Sequence, residues 1–197
     1  LKMLSPSMVS VEWIREFATI VMLAAVGIIA GRNNLQRLLY FLYTFAVWDI
    51  FYYVALYLFL DWPSSLLTWD ILFLIPVPWI GPVAAPVICS MTMIFMASAL
   101  IPPIEKGKKV LIKPYQWVLI YSGALIILYT FLRDYLQMIF RSGLLTDSGN
   151  TDMKERLWSL MNSYTPGRYS WAMFFSGELL ILIAIALVIR QINKKRP

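Results

Sequence analysis

The sequence predicts an all-α integral membrane protein, a single bundle of five transmembrane helices. Three observations carry this. Hydrophobic residues make up 60% of the chain and charged residues only 14%, against about 25% charged in soluble domains. The mean hydropathy is +0.69. The apolar stretches run on without the period-two alternation of lipid-facing strands, so they fit bilayer-length helices and not a barrel. The 197 residues leave room for five or six spans with short loops, and for no separate soluble domain.

The first span is expected over about 9–30. Its clean apolar part, from Phe17 to Ala30, is only about 21 Å long as a helix. To cross a core of about 30 Å it must take in the turn carrying Glu12, Arg15 and Glu16, where Arg15 can pair with Glu12 one turn away. Mixed charge before the apolar run, and no small-residue cleavage motif after it, argue against a cleaved signal peptide. The leading Leu1 points to a start that lies upstream or has been processed.

Gly31, Arg32, Asn33 and Asn34 make a polar turn before the second span, about 38–60, which Asp61, Trp62 and Pro63 stop. The next stretch is apolar but carries Asp70 and four prolines, Pro76, Pro78, Pro82 and Pro86. Proline removes a helical hydrogen bond and clashes with the preceding turn. The expectation is therefore a half-helix over about 63–75, a broken link, and a third span over about 83–101 closed by Pro102 and Pro103. The fourth span follows over about 115–140. A short interfacial helix over about 152–162 is expected from Met153, Leu157, Leu160 and Met161 at helical spacing behind a cap at Asp152. The fifth span runs over about 171–189.

Basic residues set the orientation. With five spans, Arg32 and Arg37, the loop lysines Lys106, Lys108, Lys109 and Lys113, and the final Arg190, Lys194, Lys195 and Arg196 share one side. The positive-inside rule makes that side cytoplasmic and puts the N-terminus outside, in a bacterial inner membrane. Counting about 64–80 as a sixth span is the alternative; it reverses the N-terminus and moves Arg32 and Arg37 out.

Composition also excludes much chemistry. There is no histidine, and the single cysteine, Cys89, removes intramolecular disulfides and multi-cysteine metal sites. Ten methionines read as packing side chains. The net charge of +6 gathers at span ends, which fits topology and not nucleic-acid binding. Phosphate-binding glycine loops, nucleophile elbows and the paired aspartates of lipid-processing enzymes are absent. No cofactor is expected, although the aromatic side chains leave contact with a quinone or pigment open.

What remains is a set of intramembrane ionisable groups, each costly in a bilayer and each in need of a partner. Asp49 lies near the middle of the second span, with Tyr53 and Tyr57 at i+4 and i+8 on its face. Tyrosine hydroxyls there can bond the carboxylate or pass on a proton. Arg133, Asp134 and Glu178 lie in the outer parts of the fourth and fifth spans, with Arg133 and Glu178 the expected ion pair. Lys106, Lys108, Lys109 and Lys113 are candidate contacts for anionic lipid. Trp48-Asp49-Ile50 and Trp69-Asp70-Ile71 resemble each other 21 residues apart, without architectural meaning.

Two functional expectations follow. The first is a non-catalytic accessory or structural subunit of a larger membrane assembly, such as an electron-transfer complex, with lipids and other membrane subunits as partners. The second is a small transporter or proton-conducting protein that uses Asp49 and Glu178. A membrane enzyme acting on lipid or quinone has less support, since no nucleophile or metal set accompanies the carboxylates.

Overall fold

A computed structural model describes residues 6–141 and 167–194 of the chain. Among these lie five helices long and apolar enough to cross a membrane. Helix α1 (Pro6–Ala30) and helix α2 (Asn34–Leu60) are joined by a tight turn. Two reciprocal caps explain why α2 begins at Asn34 and not near residue 38. The Asn33 side chain accepts the Gln36 N–H at 2.9 Å, and Gln36 Oε1 accepts the Arg32 N–H at 3.0 Å, so orphan N–H groups at the helix start are satisfied. At the other end Asp61, with φ of 50°, closes α2 as its N–H donates to the Tyr57 carbonyl.

The expected half-helix is not formed. In its place strand β1 (Trp69–Phe73) pairs antiparallel with strand β2 (Trp79–Pro82). The four prolines account for the difference. Pro76 and Pro78 lie in the turn between the strands, Pro82 ends β2, and Pro86 falls in the first turn of helix α3 (Ala84–Glu105). At each place a missing N–H is tolerated, because turns, strand ends and first helical turns leave that donor without a ladder partner. The peptide bonds before Pro63 and Pro76 are cis. The chain is thus not purely helical, and the segment before the third long helix is a hairpin.

Helix α3 continues through Pro102 and Pro103 to Glu105. Both prolines keep their carbonyls in use, Pro102 accepting from Lys106 N–H and Pro103 from Lys108 N–H. Helices α4 (Pro114–Arg141) and α5 (Trp171–Lys194) complete the set. The expected interfacial helix at about 152–162 lies outside the described residues.

Neighbouring helices follow the order α1, α2, α3, α5, α4, and β2 packs on α4 and α3. Two apolar clusters form the core. One joins Ala85, Ile127, Phe131 and Phe174 beneath the hairpin; the other joins Leu39, Met96, Leu100, Ile185 and Val188 toward the opposite end. Helices α4 and α5 meet where Gly123 faces Gly177. A Cβ on Gly123 would stand 2.5 Å from the Gly177 carbonyl, and one on Gly177 2.7 Å from the Gly123 carbonyl.

The basic turns gather at one end. Tyr40, just past Arg32 and Arg37, donates its hydroxyl to Glu105 at 2.5 Å. At the same end Gln191 Nε2 donates to the Leu111 carbonyl at 3.0 Å, which brings the tip of α5 to the lysine-bearing loop.

Candidate functional site

Helix α3 places three short polar side chains, Cys89, Ser90 and Thr92, between the two apolar clusters. Opposite them stand carboxylates from the flanking helices. Ser90 Oγ donates to Asp49 Oδ2 at 2.9 Å, and Thr92 Oγ1 donates to Glu178 Oε2 at 2.8 Å. Ser90 and Glu178 are buried, at 1% and 4% exposed, while Asp49 is half-buried. The Cys89 thiol lies within electrostatic reach of both Glu178 and Asp49. Glu178 Oε1 is buried and has no hydrogen-bond partner among the described residues.

The hairpin extends this series outward. Tyr53, at 6% exposed, donates its hydroxyl to Asp70 Oδ2 at 3.2 Å and lies within electrostatic reach of Asp49 one turn before it. The sequence expectation paired Tyr53 and Tyr57 with Asp49. Instead Tyr53 serves Asp70, and Tyr57 is 59% exposed, because the hairpin folds back over α2 and brings a second aspartate to the tyrosine. Burial raises the Asp70 carboxyl to about 6, partly offset by the Ile71 N–H and the Tyr53 hydroxyl.

Glu16 clasps the hairpin from α1. Buried at 5% exposed, it accepts the Leu74 N–H on both carboxylate oxygens, at 2.9 and 3.1 Å. Its neighbour Arg15 pairs with Glu12 as the spacing predicts, the Arg15 Nε bonding Glu12 Oε1 at 3.0 Å, and lies over the Tyr52 ring. The charges of the first helix therefore divide: one ion pair, and one carboxylate that holds backbone.

The expected Arg133 and Glu178 pair is not formed. Arg133 bonds Ser170 Oγ, while Glu178 lies next to Gly177, which faces Gly123. Ten residues of α4 separate Gly123 from Arg133, about 15 Å of helix, so the two charges stand at different depths. Asp134 is half-buried and lies within electrostatic reach of Tyr169, whose hydroxyl meets Thr130 Oγ1 at 2.8 Å. Burial pushes the Tyr169 hydroxyl above its ordinary value. Lys106, Lys108, Lys109 and Lys113 are all exposed on the loop between α3 and α4.

Sequence reasoning found Asp49, Tyr53 and Glu178 but missed Asp70, Glu16, Ser90 and Thr92. The twin Trp-Asp-Ile segments were a usable signal for Asp70, since their two aspartates flank Tyr53. Ser90 and Thr92 carried no signal, because isolated hydroxyls in an apolar helix are common. No family model, curated protein or solved structure matches the chain. The site must therefore be read from its chemistry.

Three hydroxyl–carboxylate pairs, Tyr53 with Asp70, Ser90 with Asp49 and Thr92 with Glu178, lie within electrostatic reach of one another through Tyr53 and Cys89, and all carry exchangeable protons. Each carboxylate is partnered by a hydroxyl, which can donate to the ionised form and accept from the protonated one. Cationic partners would lock one charge state; hydroxyls do not. Among the described residues, no group of three His, Cys, Asp or Glu side chains is placed to hold a metal ion.

Proposed function

We propose that the chain is an integral membrane protein of a bacterial inner membrane that handles protons, as a small transporter or proton conductor. Its N-terminus is outside and its basic end cytoplasmic. The observation that carries the reading is that Asp70, Asp49 and Glu178 are each partnered by a hydroxyl and not by a cation. A proton enters from the hairpin end at Asp70, passes by way of Tyr53 to Asp49, and reaches Glu178 across Ser90 and Cys89. Below Glu178 the apolar cluster around Leu100 and Ile185 closes the way, so passage to the basic end requires a rearrangement there. That favours a gated, coupled device over an open pore.

The test is flux in liposomes of the purified chain loaded with a pH-sensitive dye. Wild type responds to an imposed pH gradient. Asp49→Asn and Glu178→Gln each lower the rate about a hundredfold, the scale on which a positioned proton carrier acts, with the thermal unfolding midpoint retained. Wild type without flux under any gradient refutes the reading.

A second reading is a non-catalytic subunit of a larger membrane assembly, such as an electron-transfer complex. It is favoured by the fact that the same three hydrogen bonds tie elements together: Asp70 to α2, Asp49 to α3, and Glu178 to α3. Interhelical polar bonds of this kind fix which helices meet. Gentle extraction and mass spectrometry separate the two, since stoichiometric recovery with other subunits supports an assembly role.

A further inference from the structure

Between α3 and the C-terminal part of α5 lies an open groove of about 520 Å³. Its upper wall is apolar, formed by Phe95 of α3 with Ala186 and Ile189 of α5. Its lower rim is polar, formed by Arg190, Asn193 and Lys194. Phe95 is 51% exposed although it stands in the middle of an apolar helix, and Ala186 offers only a methyl group to cover it.

We propose that this groove binds one anionic phospholipid. An acyl chain lies along Phe95, Ala186 and Ile189, and the phosphate is held by Arg190 and Lys194. The two cations are one turn apart, separated by about 6 Å along the helix, so both reach a single phosphate. The Asn193 amide adds a donor for glycerol or headgroup oxygens. Depth agrees with the assignment: the apolar wall belongs to the bilayer-length part of α5 and the cations to its end, the order of tail and headgroup in a leaflet. Charge decides the lipid class, because the rim carries two cations and, among the described residues, no carboxylate.

A bare topology signal would also place cations at this end, and the experiment distinguishes the two. The full chain, purified in detergent, is titrated with phosphatidylglycerol or phosphatidylcholine and examined by native mass spectrometry. Wild type retains one phosphatidylglycerol in preference to phosphatidylcholine. The double substitution Arg190→Gln with Lys194→Gln weakens that retention about 25-fold, two basic contacts at about fivefold each. Arg32→Gln with Arg37→Gln removes the same charge from exposed positions at the start of α2, outside the groove, and leaves retention unchanged. Ala186→Trp fills the groove without changing charge and abolishes retention, which guards against a folding defect in the double variant.

Equal retention of the two lipids, or equal loss in the rim variant and the Arg32 and Arg37 variant, overturns the proposal. The proposal rests on the membrane setting. Failure of the chain to insert into vesicles overturns that setting, whereas insertion without lipid preference overturns the groove alone.

Discussion

At the scale of single residues, the chemistry of α3 depends on side chains of three heavy atoms or fewer. Cys89, Ser90 and Thr92 are small enough to let the carboxylates of α2 and α5 approach, and polar enough to meet them. The same economy of volume brings α4 onto α5. Gly177 has Ile127 Cγ1 at 2.8 Å and the Gly123 carbonyl at 2.7 Å from where a Cβ would stand, so a larger residue forces the helices apart. Gly177→Val is expected to cost about 1–3 kcal/mol, the usual range for overpacking a tight core, read as a lower unfolding midpoint in detergent. Gly167→Ala is the control, because among the described residues nothing lies within 4 Å of its Cβ position, and no change is expected there.

At the scale of elements, the hairpin is the part that the apolar pattern hides. It is held by Glu16 at its turn, by Tyr53 at Asp70, and by aromatic contacts of Trp79 with Phe131 and of Phe73 with Phe45. Its docking is expected to depend on pH. The Asp70 carboxyl rises to about 6 from its ordinary value of 3.8, through burial first. The folded state therefore binds the proton more tightly than the unfolded one, and stability falls as pH rises through this window. The contribution is full below about pH 3.8 and lost as pH passes about 6. The groups facing Asp70 are Tyr53, Tyr52 and the Glu12 charge. Protection of the Leu74 and Val83 amides, taken relative to intrinsic exchange at each pH, should fall across that range in wild type, with a much flatter profile in Asp70→Asn. The same profile in both would mean that another group controls docking.

At the scale of the whole molecule, the neighbour order α1, α2, α3, α5, α4 sets α3 in the middle, where it receives a carboxylate from each side. The α1–α2 turn, the α3–α4 loop and the tip of α5, which carry most of the described basic residues, fall at the end opposite the hairpin, which makes the proposed orientation testable. In a Cys89→Ser background, Lys108→Cys should label with a membrane-impermeant maleimide only after permeabilisation, and Ser64→Cys should label in intact cells. The reverse pattern would invert the protein. Hydropathy and length, with the basic residues favouring five spans over six, determined the five long helices, because bilayer-scale burial needs about 20 apolar residues in a row and leaves a mark in any sequence. Charge placement likewise determined which turns share an end, and the i, i+3 spacing determined the Glu12 and Arg15 pair. Only the tertiary structure decided the hairpin, since a five-residue alternation such as Trp69, Ile71 and Phe73 is lost within a longer apolar run. Only the tertiary structure decided the partners of the carboxylates too: Tyr53 turned to Asp70, and Glu178 to Thr92 and not Arg133. Helical periodicity fixes what shares a face within one helix, while the depth at which two helices cross depends on close contacts such as that of Gly123 with Gly177, which no local pattern encodes.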